Sequence, residues 1–376
     1  MKKEKILILF GADSSLEWGR SYQWAKAFNK LGHDVFYVDL PEPITNIFRK
    51  AGQGRGAEFS VFTPKYALPA GRVQLLKPIN KHVILSQIRG ALLDAGFRPT
   101  IIWAYSPYEP LILKELIDEY KPWSVVYDCG DERVAMAEQA HGKEAAMRVK
   151  LLEEEVASYC DAVFAETETL QAKKACLNER VFSLENGIDT EMFSPEAALP
   201  IPAEYKTIKG RIMLYTGTLA SWVDLDLMKK CAESYPDDSI VVVGPSAVDD
   251  SQLKGIGNIH LLGPRPYREM PAYIKYASLC LIPFRPAKSL FSTLKALQYA
   301  AMGKPVLSTH YDGIQDYGGL LTVAMDKDEF LRKAGELASA EVQQGPPERQ
   351  KILDAYSWQT LASRGIEILR STAAGA

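Results

Sequence analysis

Short apolar, β-branched runs alternate with helical patterns from the start of the chain, and this alternation constrains the fold more than any other feature. Lys5–Phe10 (KILILF), Val35–Val38 (VFYV), Ile101–Tyr105 (IIWAY), Ser124–Tyr127 (SVVY) and Ala162–Ala165 (AVFA) read as strands. Tyr22–Lys30, Leu111–Tyr120, Met147–Tyr159 and a stretch ending about Cys176 read as the helices between them, with a short strand at Val181–Leu184. Strands separated by helices need crossover connections, and crossovers build a parallel sheet. A second series begins near Arg211: IMLYTG, a helix at Leu225–Tyr235, SIVVVG, NIHLLG, a helix near Pro271–Tyr276, SLCLIPF, the helix of LKALQYAA, and PVLST. Pro195, Pro200 and Pro202 punctuate Phe193–Gly210 between the two series as a linker would. With 376 residues the chain is too long for one ordinary domain. The expected class is α/β, with two Rossmann-like parallel-sheet domains facing a cleft. Residues 1–192 form the first domain and 193–355 the second, and a helical tail at 356–376 is expected to pack back on the first.

In open parallel sheets ligands bind beyond the carboxyl ends of the strands, beside helix amino termini. In the first half the residues placed there are Gly11–Ser15, Ser106–Glu109 and Asp128–Asp131. In the second they are Gly217–Ala220, Gly244–Ser246 and Arg285–Lys288, which lead into the LKALQYAA helix. At the start of that helix Lys295 and Gln298 lie three residues apart and share a face, one step off the stripe Leu290, Leu294, Leu297, Ala301. Ser289, Ser292 and Thr293 are candidate caps there, and free backbone N–H groups plus a lysine suit a diphosphate. A solvated helix face carrying Lys and Gln is the competing reading. Gly217 and Gly244 permit close backbone approach to a ligand and equally suit strand-to-helix turns. Asp128 and Asp131 suit a general base acting on a hydroxyl, or a helix cap and a turn aspartate.

Several function classes have no support. The five cysteines are scattered without a CxxC pair, which fits a reducing cytoplasm better than a disulfide framework or a zinc knuckle. His33, His82, His141, His260 and His310 make no metal-binding spacing, so no metal and no cofactor is expected. No complete GxGxxG, GxSxG or Walker loop occurs, and a pI near 6.1 argues against nucleic acid. The apolar run after the basic head is too short for a signal-peptide core, and no eighteen-residue apolar stretch is present. The net charge of −3 is distributed unevenly: residues 45–98 carry Arg49, Lys50, Arg55, Lys65, Arg72, Lys77, Lys81, Arg89 and Arg98 against Glu58 and Asp94. Interspersed with Ile47, Phe48, Phe59, Val61 and Phe62, this segment suits an anionic membrane surface, or else a solvated face balancing acidic helices elsewhere.

Glu185–Phe193 (ENGIDTEMF) resembles the interdomain signature of group 1 glycosyltransferases of the GT-B type. Gly19–His33, Val126–Asp131 (VYDCGD), Leu214–Asp224, Asn258–Gly263 with Tyr267, and Lys295–Tyr299 with Gly303–Val306 resemble further segments of that family, in the family's order. The resemblance implies a nucleotide-sugar donor, expected to be a UDP-sugar, in the second domain and an acceptor in the first, with no obligatory metal. Donor-binding residues would be Lys295, Gln298, Gly217, Thr218, Gly244, Tyr267, Arg285, Ser292 and Thr293. Acceptor-binding residues would be Gly11, Ser14, Ser106, Tyr108 and Glu109, with Asp131 or Asp128 as catalytic base. Retaining members usually carry an E-x7-E pair where this chain has Leu290 and Gln298. The Lys-x-x-Gln pair is similar instead to the inverting glucuronosyltransferases of xanthan assembly (GumK-like), which act on polyprenyl-diphosphate-linked glycans. That likeness implies envelope or exopolysaccharide synthesis at the inner face of the membrane, with residues 45–98 as the contact. A non-catalytic nucleotide-sugar-binding subunit and a sugar-nucleotide epimerase are the alternatives. Trp222 and Arg265 are further candidates for reading the sugar.

Overall fold

The computed structural model describes residues 2–44, 58–66, 77–108, 110–285, 294–311, 314, 319–339 and 347–374. Glu109, Ser292, Thr293, Ser289 and Leu290, and within 45–98 the cations Arg49, Lys50, Arg55 and Arg72, lie outside the described residues. The chain divides into two units, Met1–Asn186 with Trp358–Ala376, and Gly187–Ser357.

The first unit contains β1 (Lys5–Gly11), α1 (Arg20–Lys30), β2 (Asp34–Asp39), β3 (Glu42–Pro43), β4 (Ser60–Phe62), β5 (Lys65–Tyr66), α2 (Lys77–Asp94), β6 (Ile101–Ala104), α3 (Pro110–Tyr120) and β7 (Ser124–Cys129). It continues with α4 (Arg133–His141), α5 (Lys143–Ser158), β8 (Ala162–Ala165), α6 (Glu168–Lys174) and β9 (Val181–Ser183). Its main sheet has the order β4-β2-β1-β6-β7-β8-β9, and every pairing is parallel. Both faces of the sheet are covered, which is why its strands read as unbroken apolar runs rather than as alternation. On β1, Ile6 and Ile8 join the core that holds Trp24, Phe28 and Trp103, while Leu7 and Leu9 join the core of Ile84, Ile88 and Leu116 from α2 and α3.

The second unit contains β10 (Ile212–Thr216), α7 (Leu225–Ser234), β11 (Ser239–Val243), β12 (Ile259–Gly263), α8 (Met270–Lys275), β13 (Leu279–Ile282), α9 (Leu294–Ala301), β14 (Val306–Thr309), β15 (Thr322–Ala324), α10 (Lys327–Ser339) and α11 (Pro347–Ala355). Its sheet runs β12-β11-β10-β13-β14-β15, again parallel throughout. Phe193 and Tyr205, from the proline-marked stretch read as a linker, are buried in this unit's core. The last helix, α12 (Trp358–Ala374), belongs to the first unit: the Trp358 ring stands edge-on to Trp24 at 4.8 Å, and Leu361, Ile366 and Leu369 are buried with it. Gly365 allows the close approach, since a Cβ there would stand 3.2 Å from the Trp103 ring.

Each sheet has one place where the strand order reverses. In the first unit β1 lies between β2 and β6, and in the second β10 lies between β11 and β13. At such a point the helices following adjacent strands leave on opposite faces and open a crevice at the strands' carboxyl ends. Among the described residues, no helix is long and apolar enough to cross a membrane.

Candidate functional site

The crevice of the second unit is the better built of the two. β10 pairs with β11 at five positions but with β13 at only two, Met213↔Leu279 and Leu214↔Cys280, so β10 and β13 part before their ends. The Thr216 N–H that would have bonded the next strand donates instead to the Tyr299 hydroxyl at 2.7 Å, and the two hydroxyls meet at 2.9 Å. Tyr299 comes from α9 and is fully buried. Thr309 does the same for the next pair of strands, accepting from the Phe284 N–H at 3.0 Å and donating to the Phe284 carbonyl at 2.7 Å.

Two glycines close the floor. Gly217 has φ 122° and Gly244 φ 151°, conformations that L side chains rarely adopt. A Cβ on Gly244 would stand 2.1 Å from the Gly217 carbonyl oxygen, so the two loops touch through backbone alone. Leu219 N–H donates to the Pro245 carbonyl and Ala247 N–H to the Leu219 carbonyl, which ties the loops together. Thr218 is held through its carbonyl, which accepts from the Tyr215 hydroxyl at 2.9 Å.

Lys295 extends over this floor. Its Nζ lies 4.9 Å from the centre of the Phe284 ring and 5.6 Å from that of Tyr215, and a Cβ on Gly217 would be 3.6 Å from it. No described residue hydrogen-bonds or ion-pairs with the amine, and burial lowers its pKa to about 8. Gln298 is buried at 7% exposure and its Nε2 donates to the Tyr267 hydroxyl at 3.1 Å. Residues 296–301 are all buried, so the solvated-face reading of this helix is overturned: the sheet and the Tyr267 segment cover the side that an isolated helix would leave wet. Arg285 is exposed, with its Nε on the Val223 carbonyl. Arg265 is tied to Glu204 at 2.7 Å, and Trp222 is 36% exposed.

In the first unit, several residues expected at the crevice are committed to the protein itself. Gly11 is required by Tyr37, whose hydroxyl would lie 2.1 Å from a Cβ there, rather than by a ligand's approach. Ser14 bonds Asp39 through both N–H (2.8 Å) and Oγ (3.1 Å). Ser106 is buried and its Oγ accepts from the Tyr108 N–H, while the Tyr108 side chain is 48% exposed. Asp128 is wholly buried and takes Nε and Nη2 of Arg20 at 2.9–3.2 Å and the Trp24 indole N–H at 2.9 Å. Burial pulls the Arg20 guanidinium's pKa down, but Asp128 outweighs this and holds it above the usual arginine value. Arg20 also donates to the Leu184 and Glu185 carbonyls, fixing the segment that leaves the unit. Asp131 is half-buried, and Arg133 lies over the Tyr105 ring at 4.9 Å beside it. Asp128 and Asp131 therefore differ in kind: one is an ion-pair partner inside the sheet, the other borders the surface.

Three cations of the basic segment form ion pairs within the first unit. Lys65 pairs with Glu42, Lys81 with Glu115, and Arg89 with Glu115 and Glu119. Among the described residues, no group of three or more His, Cys, Asp or Glu is placed to hold a metal. Sequence reasoning did not single out Tyr299, Tyr215, Phe284 or Arg20. The available signals were an arginine at the first position of α1 and a tyrosine directly after Gln298.

Residues 210–340 match the family model described as glycosyl transferases group 1. TuaH of Bacillus subtilis (strain 168), a protein named for teichuronic acid biosynthesis, is 25% identical over 222 residues, 56% of this chain; the chain spans 55% of that relative's length. Among solved structures, Anabaena Alr3699/HepE, crystallised with UDP and glucose, superposes with a TM-score of 0.66 at 14% identity over 98% of this chain and 100% of that one. Sucrose-phosphate synthase from Thermosynechococcus elongatus gives 0.66 at 16% identity, covering both chains fully. The chain has the two-unit α/β fold of the GT-B glycosyltransferases, and its second unit carries the group 1 glycosyl transferase sequence pattern.

Proposed function

We propose that the protein transfers a sugar from a nucleotide-sugar, a UDP-sugar, to a saccharide acceptor in envelope polysaccharide synthesis. The observation that carries this reading is the Lys295 ammonium, which no described residue pairs, over the Gly217–Gly244 floor, at the switch point of the unit with the group 1 pattern. A cation there answers a diphosphate, and a glycine floor lets the phosphates approach backbone. Gln298 has Nε2 on Tyr267, and no described residue bonds its side-chain carbonyl, which suits a ribose or sugar hydroxyl. UDP as the nucleotide rests on the likeness to HepE, and the envelope pathway on the likeness to TuaH.

On the first unit the reading gives Asp131 the part of general base. The acceptor hydroxyl loses its proton to this carboxylate, the acceptor oxygen bonds the anomeric carbon, and the bond from that carbon to the phosphate oxygen breaks. Lys295 stabilises the charge that develops on the departing diphosphate. The amide at 298, where retaining relatives carry a carboxylate, supports an inverting course of this kind. An acceptor carried on a polyprenyl diphosphate, and membrane contact through residues 45–98, rest only on the sequence resemblance and the cations of that segment.

A thermal-shift panel of UDP-, GDP- and ADP-sugars tests the reading. A ligand at about 100 times its Kd stabilises by about 2.7 kcal/mol, so the true donor stands out. We expect a UDP-sugar to raise Tm in the wild type and not in Lys295→Ala. No shift with any nucleotide-sugar, or an equal shift in Lys295→Ala, would refute it.

A further inference from the structure

We propose that Lys174 on α6, acting through Glu132, positions Asp131 for its part in transfer. The inference rests on the reading of Asp131 as general base and adds what holds that carboxylate in place.

Between β7 and α4 the chain makes the short turn Gly130–Asp131–Glu132. Gly130 N–H donates to the Asp128 carbonyl at 3.1 Å and Arg133 N–H to the Asp131 carbonyl at 2.9 Å, so the turn is tight. The helix it leads into has no buried residue, which leaves little apolar packing to fix the turn. Glu132 occupies the amino-terminal cap position of α4, but its side chain makes no capping hydrogen bond. It turns inward instead. Its Oε1 accepts from Lys174 Nζ at 3.1 Å, and its Oε2 lies 3.4 Å from Lys173 Nζ. Lys174 Nζ also donates to Oε2 of Glu153, on α5, at 2.6 Å. The other oxygen of Glu153 accepts from the Tyr127 hydroxyl at 2.9 Å and the Cys129 thiol at 3.7 Å, both on β7. Glu132, Lys174 and Glu153 are 8%, 5% and 1% exposed, so the whole cluster is internal.

One buried ammonium thus ties the turn to α5, α6 and the strand before it. A buried ion pair is a poor source of net stability, because desolvation offsets much of the attraction, but its hydrogen bonds are short and directional. The other members of the turn are held as well. Gly130 packs against Arg20, whose Cδ would stand 2.8 Å from a Cβ there. Arg133 lies over the Tyr105 ring at 4.9 Å and donates to the Tyr105 carbonyl at 3.2 Å. Asp131, half-buried between these anchors, is the carboxylate the turn presents at its surface. A general base has to stand within hydrogen-bond reach of the proton it takes, and a misplacement of about 1 Å costs about 10²-fold.

Glu132→Ala cuts the tie without stranding a charge, because Lys174 keeps Glu153 as its partner. The assay is release of UDP from isotopically labelled UDP-sugars of the panel above, with water as acceptor. We expect kcat to fall about tenfold with KM for the UDP-sugar within about twofold of wild type, and Glu132→Gln, whose amide oxygen still accepts from Lys174, to recover to within about threefold. In the Asp131→Asn background Glu132→Ala should cause no further loss, since a positioning residue acts only through the group it positions, whereas a general weakening of the fold would cost the same in both backgrounds. Amide exchange at Gly130 and Arg133 should quicken in Glu132→Ala while Val126, inside the sheet, stays protected. A kcat within about twofold of wild type, the same loss repeated in the Asp131→Asn background, or unchanged exchange at the turn overturns the positioning role and leaves the base reading standing. Release unchanged in Asp131→Asn, or no release by the wild type, overturns the base reading and this inference with it.

Discussion

Tyr299→Phe removes one oxygen atom and should disturb both stability and binding. The hydroxyl meets the Thr216 N–H at 2.7 Å and Thr216 Oγ1 at 2.9 Å, in a place with no exposure. In the variant Thr216 Oγ1 can rotate to another acceptor, but the N–H is held by the strand and stays unsatisfied. An orphaned buried donor costs about 1–3 kcal/mol, with 2 kcal/mol as the central figure. For a unit of this size about 2 kcal/mol corresponds to a fall in Tm of about 4–8 °C. Because Gly217 follows Thr216 directly, the floor under Lys295 should loosen as well. The assays are urea denaturation of the free protein and amide hydrogen exchange at Thr216 and Gly217. A loss of stability below about 0.5 kcal/mol, with unchanged exchange at those two amides, would refute the claim that this hydroxyl replaces a sheet hydrogen bond.

Two further pairs of substitutions separate architecture from chemistry. Gly244→Ala forces a Cβ to within 2.1 Å of the Gly217 carbonyl at φ 151°, and should cost about 2–4 kcal/mol by denaturation, whereas Gly257→Ala, with no atom within 4 Å of its Cβ, should be near neutral. Asp128→Ala strands the Arg20 guanidinium and the Trp24 indole N–H and should destabilise the first unit by about 3–5 kcal/mol. Asp131→Asn should move the unfolding transition by under about 0.5 kcal/mol while lowering transfer about 10²–10⁴-fold. Equal effects of the two aspartate changes on stability would undo the distinction drawn between them.

The strands were legible because a parallel sheet covered on both faces needs several apolar residues in a row, a pattern visible within five residues. SVVY and IMLYT show it directly. The helix α2 was not read. Exposed Ile79 and Leu93 and the glycine at 90 blur its buried stripe of Ile84, Leu85, Ile88 and Leu92. Lys295 and Gln298 could be singled out by their spacing, but not their environment. The ring of Tyr215 and the hydroxyl of Tyr267 come from chain segments about 80 and 31 residues away.

By itself, then, the sequence determined the type and succession of elements, the glycines that end β10 and β11, and the helix that follows β13. These depend on local periodicity and on backbone conformations open to few residues. Only the tertiary structure decided the strand order that puts the crevice between β10 and β13, and the rings that cup Lys295. It also decided the partner of Asp128, Arg20, which lies 108 residues away in the chain. A carboxylate on the penultimate residue of β7 and one two residues past that strand's end look alike in sequence. Their chemistry differs because one meets a buried guanidinium and the other borders water.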